Sequence, residues 1–120
     1  MKVSFVIPTH DCVTWLPAAV SSCLEQTHKD IEILIVDDGS KDYTRQYLKS
    51  LEGDPKIKII RFDANRGRSA ARNVGNAEAT GDILCVLDAD DVAESRRAAW
   101  MSDIFTKQGS QYVYGSAKIM

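Results

Sequence analysis

The sequence predicts an α/β fold, a doubly wound and mainly parallel sheet with helices on both faces, and two patterns carry that prediction. Short apolar, β-branched runs alternate with segments whose apolar residues recur at helical spacing, and strands joined by crossover helices pair in parallel. The runs also end in polar or acidic residues, at Thr9-His10-Asp11, Asp37-Asp38 and Asp88-Ala89-Asp90. Open parallel sheets bind ligands beyond the C-terminal strand ends, where the strand order reverses. The three polar ends are therefore candidates for a single crevice.

Val3 to Pro8 reads as the first strand, ended by its proline, with Thr9-His10-Asp11 as the loop beyond. Thr14 is a natural N-cap, and Leu16, Val20, Cys23 and Leu24 keep helical spacing, which predicts a helix from about Thr14 to Gln26 with Pro17 in its first turn. Ile31 to Val36 is a β-prone run that ends in Asp37-Asp38-Gly39-Ser40. Asp42 then caps a helix from Tyr43 to Leu51, broken by Gly53-Asp54-Pro55. Ile57 to Phe62 alternates as a third strand. Ser69 to Ala79 is a helix of small residues, suited to close packing on a sheet, and Arg66, Arg68 and Arg72 cluster at its start. A helix N-terminus favours anions and arginine forks bind them, so a phosphate-bearing ligand is one reading of this cluster and a solvated basic turn the other. Ile83 to Leu87 is a strand buried on both faces, Glu94 to Lys107 a fourth helix ended by Gly109, and Gln111-Tyr112-Val113-Tyr114 the start of a fifth strand.

At 120 residues the chain is one domain, with 44% hydrophobic and 27% charged residues, which argues against disorder. A formal net charge of -2 leaves no electrostatic footprint for nucleic acid, and the apolar runs are too short to span a bilayer. Val3 to Ile7 is short and lacks a cleavage-like site, so no signal peptide is expected and the compartment reads as cytoplasmic. Three cysteines without metal-ligand spacing predict free or buried thiols.

The acidic end of the fourth strand is the most informative stretch. In extended chain, side chains at i and i+2 share a face, so Asp88 and Asp90 face one pocket while Asp91 starts the next loop. Carboxylates this close repel unless a cation or hydrogen-bond donors join them. Mg²⁺ or Mn²⁺ suits oxygen ligands and uses few protein carboxylates beside phosphates and water. The alternative is that Asp90 and Asp91 open the next helix, where acidic residues complement its dipole.

Five pieces, Val6-Ile7-Pro8-Thr9, Ile35-Val36-Asp37-Asp38-Gly39-Ser40, Asn65-Arg66-Gly67, Ala71-Arg72-Asn73-Val74-Gly75 and Leu87-Asp88-Ala89-Asp90-Asp91, resemble in order and spacing the N-terminal half of family 2 glycosyltransferases. That resemblance implies the GT-A, Rossmann-like fold with sheet order 3-2-1-4 and a switch point between the Thr9 and Asp88 strands. It implies transfer of a sugar, with inversion, from a nucleotide-sugar such as a UDP-sugar to a glycan, lipid or protein acceptor, as in cell-surface polysaccharide biosynthesis. Residue by residue, it implies that Thr9 and Asp38 hold the base, with His10 a contact beside it, and that Arg72 lies near the base or pyrophosphate. It further implies that Asp88 sits near the ribose and the metal and that Asp90 ligates Mn²⁺ or Mg²⁺, the pair forming a DxD motif. His10-Asp11 departs from the family's usual aromatic residue and Asn, which alters stacking on the base.

Because such enzymes are about twice as long, the acceptor site and general base are expected beyond Met120, which makes residues 1–120 a truncated, donor-binding part of the domain. Such a piece is expected to bind donor weakly, transfer no sugar and self-associate through the open edge of the Asp88 strand. The setting is cytoplasmic or at the inner face of the membrane. A non-catalytic nucleotide-binding or assembly module of the same fold is the alternative. A phosphoryl-accepting domain lacks its later lysine, and a nucleotidyltransferase lacks its glycine-rich loop after the first strand.

Overall fold

The computed structural model describes residues 1–108. Its order is β1 (Val3–Thr9), α1 (Leu16–Leu24), β2 (Ile31–Asp37), α2 (Asp42–Ser50), β3 (Ile57–Arg61), α3 (Arg68–Glu78), β4 (Ile83–Val86) and α4 (Arg97–Gln108). The four strands are parallel in the order β3-β2-β1-β4, so the strand order reverses between β1 and β4. The expected doubly wound α/β fold is therefore present. The proposed helix stop at Gly109, the fifth strand at Gln111–Tyr114 and any strand pairing by that segment lie outside the described residues.

Alternation along the buried strands divides the core. Val3, Phe5 and Ile7 of β1, with Ile33 and Ile35 of β2, pack against Leu16, Ala19, Val20 and Cys23 of α1, Leu48 of α2 and Ala98, Met101 and Phe105 of α4. Val36, Phe62 and Ala71 form a smaller cluster on the other face, beneath α3. A Cβ on Gly75 would come 2.4 Å from Val6 Cγ1, so the glycine lets α3 lie directly on the sheet. No disulfide joins Cys12, Cys23 or Cys85 among the described residues, and burial pushes the Cys85 thiol up to about 11 and the Cys23 thiol higher still, which makes both unreactive packing groups.

Pro8 does not end β1. The strand runs on to Thr9, in register with Asp37 of β2. The Val6 carbonyl faces β4, where it accepts from Leu87 N–H at 2.9 Å, and Pro8, two residues on, faces the same side. The β1–β4 ladder stops at Val6 and Val86, so the missing proline N–H costs no ladder bond. β1 and β4 separate at this point.

Three helix starts differ from expectation. α1 begins at Leu16 after a turn in which the Cys12 carbonyl accepts from both Trp15 and Leu16 N–H, so Thr14 is not its cap. α2 begins at Asp42 because Lys41, whose N–H donates to Asp11 Oδ1 at 2.9 Å, is held extended as the cap. α4 begins at Arg97, after Glu94.

At the opposite end of the sheet, Glu32 joins β1, β2 and the loop before β4. Its Oε2 accepts from the Ser4 hydroxyl and Thr80 N–H, both at 2.5 Å, and Lys2 Nζ lies 3.8 Å from Oε1. Burial, the largest influence, raises the carboxyl's pKa, but the Ser4 and Thr80 hydrogen bonds and the Lys2 charge together hold it below its ordinary 4.5. A carboxyl depressed in the folded state contributes stability above its unfolded pKa and loses it as pH falls through the folded value. The unfolding midpoint is expected to drop less in Glu32→Gln than in the parent between neutral pH and about pH 4. Parallel pH profiles for the two proteins would exclude this contribution.

Candidate functional site

Beyond the C-terminal strand ends, the loops after β1, β2 and β3 are tied to one another. Asp38 N–H donates to the Thr9 carbonyl at 2.8 Å, and Asp11 N–H to Ser40 Oγ at 2.8 Å. Asp11 takes a positive φ of 48°, a conformation short polar side chains tolerate. His10 Nδ1 lies 2.7 Å from the Asp38 carbonyl oxygen. A carbonyl only accepts, so Nδ1 carries the proton and donates, while Nε2 faces Asp11 Oδ2 at 3.4 Å. Asp37, fully buried, closes the turn by accepting Ser40 N–H at 2.9 Å, and its other oxygen lies 3.5 Å from Arg61 Nε.

Asp38 does a different job. Its carboxylate accepts from Arg66 N–H at 2.6 Å and Gly67 N–H at 3.0 Å, bracing the loop that leads into α3. Gly39 makes that closure possible: it sits at φ 75°, and a Cβ there would lie 2.7 Å from Asn65 N and 2.8 Å from the Ala64 carbonyl carbon. Arg66 folds back over Phe62, 4.3 Å from the ring centroid.

The acidic cluster is gathered by a turn and not by an extended strand. β4 ends at Val86, and Asp91 N–H donates to the Asp88 carbonyl at 3.0 Å. This turn brings Asp91 in with Asp88 and Asp90, so that one carboxylate oxygen from each lies within 4.8 Å of the others. Asp88 and Asp91 are half-buried and Asp90 exposed. The segment that follows is anchored to the end of α1. Ser22 Oγ accepts from Ala93 N–H at 2.9 Å, and Thr27 N–H donates to the Ser95 carbonyl at 2.9 Å. Gln26, fully buried, donates to the Glu94 carbonyl at 2.8 Å and accepts Ala98 N–H at 2.9 Å, capping α4 across the fold.

Where β1 and β4 separate there is a cavity of about 120 Å³, lined by Pro8, Thr9, His10, Cys12, Asp38, Arg68, Ala71, Asp88, Ala89 and Asp90. Its volume is below the ~300–1,000 Å³ of pockets that enclose a whole small ligand, so it is the floor of an open cleft. Thr9, 3% exposed, has no hydrogen-bond partner for its hydroxyl among the described residues. A buried, unsatisfied hydroxyl costs roughly 1–3 kcal/mol, a deficit that a ligand in the cavity would relieve.

Of the residues singled out from sequence, the fold brings Thr9, His10, Asp38, Asp88 and Asp90 together. Arg68 and Arg72 are both exposed, but only Arg68 is among the cavity's walls. Arg68 and Ala71 are three residues apart in α3 and so share a helix face, a spacing visible in the sequence. Asp91 was assigned to the following loop because strand alternation hides a turn that reverses its direction.

Residues 4–118 match the model of Glycosyl transferase family 2. An uncharacterized glycosyltransferase of Nostoc sp. (strain PCC 7120) is 43% identical over 107 residues, covering 88% of this chain and 33% of that protein. The Escherichia coli UDP-Glc:alpha-D-GlcNAc-diphosphoundecaprenol beta-1,3-glucosyltransferase WfgD is 31% identical over 119 residues, covering 98% of this chain and 46% of that protein. The crystal structure of S. aureus TarS 1-349 in complex with UDP-GlcNAc superposes with a TM-score of 0.84 at 24% identity, over 92% of this chain and 32% of that one, a likeness of fold. The chain thus spans less than half the length of these relatives. Matched over almost its whole length, it belongs to glycosyl transferase family 2.

Proposed function

We propose that this chain carries the donor site of a glycosyltransferase that moves a sugar from a UDP-sugar, with inversion, to a glycan, lipid or protein acceptor, in the cytoplasm or at the inner face of the membrane. The observation that carries the reading is the Thr9 hydroxyl, buried and without a partner among the described residues, in a cavity whose walls include Asp38, Asp88 and Asp90. The name of the WfgD enzyme, a UDP-Glc user, supports the choice of nucleotide.

The three clustered carboxylates fit a hard divalent cation, whose ligands are oxygens. Asp90 and Asp88 would hold Mn²⁺ or Mg²⁺, with Asp91 beside them, and the bound ion would offset the charge that develops on the departing nucleoside diphosphate. Thr9 and Asp38 line the part of the cavity assigned to the base, with His10 at its rim. His10 is held by the Asp38 carbonyl and directs Nε2 toward Asp11, an arrangement that suits a fixed wall better than a proton shuttle.

Calorimetry of the 120-residue chain with UDP, GDP and ADP, each with Mn²⁺, Mg²⁺ or chelator, tests this. UDP is expected to bind in the presence of the metals and to lose most of its affinity in chelator. A chain that bound none of these nucleotides under any condition would overturn the reading.

A further inference from the structure

Resting on the nucleotide-sugar reading, we propose that Arg68 is the side chain that takes the diphosphate of the donor, ahead of Arg72. Arg68 is the first residue of α3 and a wall of the cavity. Arg72 lies one helical turn further on, a rise of roughly 6 Å along the axis, and is not a wall.

Two of the neighbouring arginines are already engaged, and position on the cavity wall separates Arg68 from Arg72. Arg61 faces Asp37 Oδ2 at 3.5 Å, and Arg66 stacks on Phe62. Arg68 makes no ion pair or ring contact among the described residues, so its guanidinium is available to an anion. Gly67, the residue before it, gives the helix no side-chain cap, so the positive end of the α3 dipole adds to the charge of Arg68 at the helix start.

Two further features of the cavity call for a cationic side chain here if it is to take a polar, anionic ligand. The Thr9 hydroxyl, buried and without a hydrogen-bond partner among the described residues, lines the same cavity and marks it as built to receive a polar ligand. Asp88 and Asp90 form another wall, which on its own repels a diphosphate. A fixed cation beside that wall offsets the repulsion, and a guanidinium does so with two parallel N–H groups that match phosphate oxygens. The small Ala71 and Gly75, which seat α3 on the sheet, keep the start of the helix close enough to the strand ends for Arg68 to act there.

The test is calorimetry of the whole chain in Mn²⁺ with UDP and with uridine, beside a melting curve for each variant. Arg68→Ala is expected to weaken UDP about tenfold or more, the loss of a charged hydrogen-bond pair, and to leave uridine unchanged. Arg68→Gln serves if the alanine variant folds poorly, and Arg68→Lys should recover part of the affinity as a point charge without the fork. Arg72→Ala should cost less than Arg68→Ala. Parent-like UDP affinity in folded Arg68→Ala, an equal loss of uridine, or a larger loss in Arg72→Ala would each overturn the assignment to Arg68 while leaving the donor site standing. A parent chain that bound no nucleoside diphosphate would instead overturn the functional reading, and this assignment with it.

Discussion

Asp90→Asn is expected to reduce the affinity of the chain for Mn²⁺, and with it the metal-dependent binding of UDP, while the fold stays as stable as before or becomes slightly more so. The two effects have opposite signs for one reason. One oxygen from each of Asp88, Asp90 and Asp91 lies within 4.8 Å of the others, so the metal-free protein holds three like charges together. Replacing one carboxylate by an amide of the same shape removes part of that repulsion. It also removes one charge from the proposed cation site, where affinity for a hard cation follows ligand charge, at an expected cost of about tenfold or more in metal binding. Asp103→Asn on α4 is the control, since Asp103 is exposed and its pairing with Lys107 at 3.2 Å contributes little. A melting temperature that rises or holds while the Mn²⁺ titration flattens is the expected pair of results. Equal Mn²⁺ affinity in parent and variant would remove the metal from the site.

Much of this site was legible because it lies at the ends of strands that announce themselves. Ile31 to Val36 and Ile83 to Leu87 are apolar runs with no competing helical period, and an acidic residue directly after such a run stands at the C-terminal edge of the sheet wherever the strand is placed. What stayed hidden depends on groups distant in sequence. No local pattern shows that Gln26 caps α4 through Ala98, so Glu94 looked like the start of that helix. Lys41 is extended because Asp11, 30 residues earlier, binds its N–H. Pro8 looked like a strand end because a proline interrupts a ladder only where a partner is present, and the partner on that side had already stopped. The alternation argument selected Asp88 and Asp90 and set Asp91 aside, whereas the turn closed by Asp91 N–H gathers all three.

Asp38 shows how a residue chosen for one role in the sequence acquires a second in the fold. By sequence it is a candidate for the nucleotide base, next to the turn into Ser40. Asp37 makes that turn, and the Asp38 carboxylate braces Arg66 and Gly67. Both oxygens are occupied, but a carboxylate offers about four acceptor positions, so a cavity wall and a brace are compatible in one side chain. Asp38→Ala deletes two hydrogen bonds to a charged acceptor at a residue only 4% exposed. The expected loss of stability is about 2–3 kcal/mol, or a melting temperature lower by roughly 10 °C. Binding should change in a pattern distinct from that of Arg68→Ala: UDP and uridine weaken by similar factors, because a contact to the base is lost whether or not phosphates are present. Unchanged stability would show that the brace contributes nothing. A loss confined to UDP would take Asp38 away from the base and make it a support for the start of α3, where Arg68 stands.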